Sequence, residues 1–269
     1  MKKQLLGLFA TVSLLAACGN GAGNEVGTDE AVNPGSAEGL KDSYIVGLDD
    51  TFAPMSFRDT DGSIVGFDVD LANEIGEMIG AEFTFQPIDW VMKETELNAG
   101  NIDLIWNGYS ITDERKEKVA FSDAYLDNKQ IIVTLADSDI ETKADLEGVV
   151  VATQQASATL DALYADETGV VEKFDGGEPI LYPTFTDVFN DLDSGRSGAI
   201  VVDEVLGRYI MKQKGAENYK VLEENFGEEE YGVGMRKEDV QLQEAINNGL
   251  AELRENGKYE EIYETWFAE

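Results

Sequence analysis

Histidine is absent from the 269 residues, and cysteine occurs once, at Cys18. The first absence removes the usual proton shuttle at neutral pH and the commonest metal ligand. The second rules out an internal disulfide. Basic residues are scarce, 20 Lys and Arg against 54 Asp and Glu, for a formal net charge of -34. Phosphate repulsion at that charge argues against a nucleic-acid partner. Neither a Gly-x-Ser-x-Gly elbow nor a phosphate-binding P-loop occurs. Catalysis would have to rest on carboxylates, Lys or Tyr, so a binding role gains weight over an enzymatic one. No calcium loop is expected either: "DTDGS" (59–63) is too short for one and suits a hairpin turn.

No apolar run reaches membrane-spanning length, and one N-terminal stretch is too short to span a bilayer as a mature helix. That stretch begins with Lys2 and Lys3, continues through uncharged residues 5–17, and ends in Leu15-Ala16-Ala17-Cys18. The layout predicts a signal peptide over 1–17. Its last four residues resemble the bacterial lipobox, which implies a palmitate-bearing lipoprotein with Cys18 as first mature residue. Residues 18–40 contain little that could be buried and read as a flexible tether.

From Lys41 onward, strand and helix patterns alternate in two rounds. "YIVGL" (44–48) reads as a strand. "GFDVDLANEIGEMIG" carries Leu71, Ile75, Met78 and Ile79 at helical spacing, with Asp68 as expected N-cap and Gly80 as stop. "EFTFQPI", "VMKETELNAG" and "IDLIW" continue as strand, helix and strand. A second round starts near residue 130 with "QIIVTLA", a short helix capped by Thr142, then "VVVAT", two helices and "GAIVVDE". Helices over about 239–256 and 258–268 close the chain. Short links between alternating elements predict parallel, doubly wound sheets and two α/β lobes around a cleft.

Several strand ends carry polar or aromatic residues where such sheets present ligand contacts. In "WNGYSITDERKEK" (106–118), Thr112 suits an N-cap and Arg115 falls at the third helical position. A cation there opposes the helix dipole, which makes sense if an anion docks beside it; a surface Arg paired with Asp113 is the alternative. Asp203 ends "VVD" and could receive an ammonium group or cap the following helix. Asp49 and Phe52 follow the first strand, Trp90 follows another, and Ser157 opens a helix in the second round. Phe52 and Trp90 could wall a ligand or fill core. Together these residues offer what an α-amino acid requires: a fork-shaped cation, a carboxylate and flat apolar walls.

The segments "GFDVDLANEIGEMIG", "GNIDLIWNGYSITDERKEKVAFSDAY", "GAIVVDE" and "GVGMRKED" follow one another as in the polar amino-acid solute-binding proteins of ABC importers (extracellular solute-binding protein family 3), which the chain resembles from Tyr44 to its end. The resemblance implies a type II periplasmic-binding fold: lobe 1 over 41–128 plus 226–269, lobe 2 over 129–225, and a two-strand hinge near 128–131 and 222–226. It implies that Arg115, Ser110 and the backbone at Asn107 and Gly108 grip the ligand carboxylate, and that Asp203 holds the ammonium. Phe52 and Trp90 then flank the side chain, Asp49 meets its polar end, and Ser157 adds a hydroxyl. The family's usual glycine and second hydroxyl beside Ser157 are here Ala156 and Ala158. The implied protein is an extracytoplasmic monomer without cofactor or metal, anchored by lipid at the outer face of the cytoplasmic membrane or in the periplasm. It delivers cystine, glutamine or a basic amino acid to a permease and ATPase. The alternatives are a cell-surface adhesin and a dehydratase-like enzyme on the same fold.

Overall fold

A computed structural model describes residues 39–268. Cys18, the leader and nearly all of the expected tether lie outside the described residues. The first round comprises β1 (Ser43–Leu48), a small antiparallel sheet of β2 (Thr51–Phe52), β3 (Ser56–Arg58) and β4 (Ile64–Val65), then α1 (Phe67–Ile79) and β5 (Glu82–Pro87). After these come α2 (Lys93–Asn98), β6 (Leu104–Ile105), α3 (Asp113–Lys118) and β7 (Ala120–Phe121). The second round runs through β8 (Leu126–Leu135), β9 (Val151–Gln154), α4 (Ala158–Ala165), β10 (Ile180–Tyr182), α5 (Phe185–Asp193), β11 (Ala199–Asp203), α6 (Glu204–Lys214) and β12 (Tyr219–Tyr231). The chain then adds β13 (Gly234–Met235), α7 (Val240–Glu255) and α8 (Lys258–Phe267).

Two five-stranded sheets result, ordered β5-β1-β6-β13-β7 and β10-β9-β11-β8-β12. Their centres are parallel as expected, β1 with β5 and β6, and β9 with β10 and β11. Each sheet is nevertheless mixed. The chain leaves the first lobe along β8 and returns along β12, so these two lie antiparallel, and β13 enters the first sheet antiparallel to β6 and β7. β12 shifts register against β8 between Val221 and Asn225 and again between Asn225 and Glu228. Such irregularities mark where a strand bends. An isolated bridge from Tyr231 to Ser110 ties the end of β12 to the first lobe.

The start of α1 departs from expectation. Gly66, not Asp68, occupies the N-cap, because a Cβ there would stand 2.2 Å from the Met55 carbonyl oxygen. Asp68 is instead drawn into the first turn and buried, where its Oδ2 accepts the Gly108 N–H at 2.7 Å. Leu71 and Ile75 have no exposed surface and Gly80 ends the helix in the left-handed conformation, while Met78 falls at the edge of the buried face and is exposed. The turn at 59–63 closes the β3–β4 hairpin, with Asp59 N donating to Ser63 O at 2.9 Å.

Candidate functional site

The carboxyl ends of β1, β6, β9 and β11 converge, and the turn or helix start after each strand supplies the side chains of the site. After β6 the chain turns through Gly108, at φ +51°, where a Cβ would come within 2.9 Å of Phe52 Cε1. Beyond that turn, Thr112 caps α3 as expected, its Oγ1 accepting Arg115 N at 3.2 Å. That start aims Arg115 inward. Its guanidinium lies 4.5 Å over the Tyr109 ring and donates Nη1–H to Ser110 O at 3.0 Å, with the residue only 4% exposed. Asp113 pairs with Lys116 instead, and no described carboxylate lies within ion-pair distance of Arg115. The guanidinium is therefore a buried cation with donors to spare.

Asp203 ends β11 and is 4% exposed. Its side chain makes no cap to α6; Asn128 Oδ1 takes the Val205 N–H at 3.3 Å in its place. Asp203 Oδ1 accepts from Asn128 Nδ2 at 2.6 Å, Gln130 Nε2 at 3.0 Å and the Tyr231 hydroxyl at 2.9 Å. The capping alternative is thus excluded, and a carboxylate oriented by three neutral donors remains. Ser157 caps α4, receiving Leu160 N at 3.1 Å and donating to Gln154 O at 2.7 Å. Ala156 before it holds φ +52°, the conformation a glycine would adopt freely.

Seven of the nine expected residues, Phe52, Trp90, Gly108, Ser110, Arg115, Ser157 and Asp203, line one narrow pocket of about 10 Å³. Asp49 and Asn107 stand behind its wall. Asn107 Oδ1 accepts Asp49 N at 2.7 Å and its amide donates to Ser56 Oγ, so the side chain braces the β1 loop. Asp49 Oδ1 takes both Thr51 donors, and its Oδ2 takes Gln154 Nε2 at 3.0 Å. Burial pushes the Asp49 carboxyl up against those hydrogen bonds. The Gly108 N–H, already held by Asp68, is not free for a ligand.

Gln154, Ala158 and Phe185 complete the lining and are not among the residues expected from sequence. Phe185 packs 5.8 Å from Phe52, centroid to centroid, and closes the cavity from the second lobe. Lys93, also unexpected, is 3% exposed and donates to Ala156 O at 3.0 Å, from one lobe to the other. Burial, followed by the neighbouring Arg115 charge, pushes its ammonium down to about 8. Its position between Trp90 and Leu97 at helical spacing is a usable signal of burial. Glu229 on β12 lies beside Asp203, and burial with that neighbour pushes it up to about 8.

Residues 44–269 match the model of the bacterial extracellular solute-binding proteins, family 3. The chain belongs to this family. The lysine/arginine/ornithine-binding periplasmic protein of Escherichia coli K12 is 32% identical over 274 residues, covering 99% of this chain and 97% of the relative. The histidine-binding periplasmic protein of Salmonella typhimurium is 33% identical over 231 residues, 82% of this chain and 86% of the relative. A Streptococcus pneumoniae ABC uptake transporter substrate-binding protein, solved with bound histidine, superposes with a TM-score of 0.82 at 40% identity, covering 85% of this chain and 93% of its own. The fold is accordingly the two-lobed type II binding-protein fold expected for the family, and these relatives are extracytoplasmic binding proteins rather than enzymes.

Proposed function

We propose that the protein is an extracytoplasmic receptor that closes on a cationic L-amino acid and delivers it to the permease and ATPase of an ABC importer. The observation that carries this reading is one narrow pocket lined both by a buried guanidinium free of carboxylate partners and by a buried carboxylate held by neutral donors. Arg115 clamps the ligand carboxylate through two parallel N–H donors, with Ser110 and Ser157 beside it. Asp203 receives the α-ammonium, while Phe52 and Trp90 flank the side chain. Gly108 contributes its lack of a side chain and Asn107 the bracing of the loop. Asp49 closes the far wall through Gln154.

A basic side chain is favoured over cystine or glutamine on two grounds. The named relatives bind lysine, arginine, ornithine or histidine. Carboxylates also crowd the surroundings: Asp49 behind the wall, Glu94 beside Lys93 at 3.5 Å, and Asp161 on α4, whose carboxyl burial pushes up.

The moving bodies are residues 41–128 plus 226–269 and residues 129–225, hinged where β8 and β12 cross between sheets. Closure forms Asp49–Gln154, Lys93–Ala156 and Phe52–Phe185 across the cleft and excludes water from the charge pairs, which strengthens them. No bond is made or broken. Cys18 carries the lipid that keeps the receptor at the membrane. Calorimetry and thermal shift with arginine, lysine, ornithine, histidine, glutamine, cystine and glutamate test the reading. At about hundredfold excess over Kd the ligand should add about 2.7 kcal/mol of stability. Arg115→Ala and Asp203→Asn should each abolish the shift. A variant that keeps it overturns the site, and glutamine or cystine outranking all four cationic ligands overturns the ligand class.

A further inference from the structure

A second acid stands beside Asp203, on the side of it away from the cavity lining. Glu229 stands two residues before Tyr231 on β12, so both side chains leave the same face of the strand, the face turned to Asp203. The two acids share their donors. Asn128 Nδ2 lies 2.6 Å from both Asp203 Oδ1 and Glu229 Oε1, and Gln130 Nε2 lies 3.0 Å and 2.7 Å from the same two atoms.

Among the described residues, no cation separates the pair. Lys129 on β8 turns to Glu204 at the start of α6, at 3.2 Å, and Arg115 is engaged on the carbonyl of Ser110. The remaining charged groups around Glu229 are acidic: Asp127 on β8, Glu204, and Glu228 and Glu230 on β12. They line an open recess on the outer side, which Glu229 also borders. Tyr231, whose hydroxyl is pushed well above its ordinary range by burial, stays a donor to Asp203. Two carboxyls bridged by the same neutral amides cannot both ionise cheaply until a cation arrives.

Resting on the receptor reading, we propose that Glu229 holds a proton against Asp203 in the empty cleft and releases it when the ligand's α-ammonium binds, so that amino-acid capture is linked to proton release. The O–H bond of the Glu229 carboxyl breaks, its proton passes to solvent in the outer recess, and the arriving ammonium takes over the charge balance. Both carboxylates then face one ammonium, which makes Glu229 a positioning residue for Asp203 and a selector against ligands lacking that charge. Burial and the adjacent Asp203 push Glu229 up to about 8, which sets the exchange in the neutral range.

Calorimetric titration of the purified protein with L-arginine, in phosphate and in Tris at neutral pH, counts the protons. About one proton should leave per arginine bound, and the association constant should rise by up to about tenfold per pH unit from about pH 6 to about pH 8, then level off. Glu229→Gln should bind with no proton release and a flat profile over that range. Binding without release by the wild-type protein overturns the inference alone, as does release that survives in Glu229→Gln. Should that variant not fold, the wild-type buffer series decides by itself. Silence with arginine and every other amino acid overturns the receptor reading, and this inference with it.

Discussion

Arg115 and Asp203 are legible in the sequence because each breaks a local rule. A cation in a helix's first turn opposes the dipole, and a carboxylate closing an apolar strand needs a partner. The partners that make them useful are not legible. Glu229 and Gln154 lie in polar stretches, and only the tertiary arrangement brings them to the site, while the spacing around Lys93 signals its burial but not its reach across the cleft. Arg115 gives the sharpest residue-level test. Arg115→Lys keeps the charge but loses the planar fork and the stacking on Tyr109, so affinity should fall about 10- to 100-fold in calorimetry. Asp68 gives another. Burial pushes its carboxyl from an ordinary 3.8 to about 7. The native state therefore retains a proton that the unfolded chain has lost across that window, and stability falls as pH rises through it. The slope reaches about 1.4 kcal/mol per pH unit and vanishes above the folded value. Glu229 adds a slope of the same sign from its ordinary 4.5 up to about 8. Asp68→Asn, neutral and nearly isosteric, should flatten the fall in Tm of the ligand-free protein between about pH 4 and pH 7. An unchanged slope would remove Asp68 from this role.

Helix ends are the most legible elements, since capping is local chemistry. Thr112, Thr142 and Gly80 act where expected, and Ser157 opens its helix. Asp68 fails as the expected cap because Gly66 is needed for a close backbone approach that only the fold creates. Strand direction is poorly legible for the same reason. A five-residue apolar run carries no mark of whether its neighbour runs parallel, so nothing local in β8, β12 or β13 announces an antiparallel partner. The turn after β6 provides the element-scale prediction. Gly108→Ala forces a side chain into φ +51°, with its Cβ 2.9 Å from Phe52 Cε1 and 3.1 Å from Tyr231 Cε2. The backbone term alone is about 1 kcal/mol. Because the clash displaces a cavity wall, arginine affinity should fall along with Tm. A Tm loss with unchanged affinity would show that the Phe52 wall does not shape the ligand.

At the scale of the whole molecule, the order of the motifs carries the two-lobed architecture, because one long signature segment brings Arg115 and another brings Asp203 to the same cleft. The closed state is not readable in this way, since Asp49 meets Gln154 from 105 residues away. Charge is the other whole-molecule property. A net -34 spread over the chain leaves a negative field around the cleft, and that field distinguishes candidate ligands before any contact forms. Arginine, carrying one net positive charge, is drawn in, whereas glutamine has no net charge for the field to act on. Screening shortens the reach of the field from about 30 Å at 0.01 M salt to about 10 Å at 0.1 M. Stopped-flow fluorescence at low ligand concentration should therefore show the arginine association rate falling severalfold over that range, with the glutamine rate nearly constant. Dissociation, governed by buried pairs that salt does not reach, should change little for either. Equal salt dependence of the two association rates would mean that the acidic surface serves solubility alone and that selection rests entirely within the closed cavity.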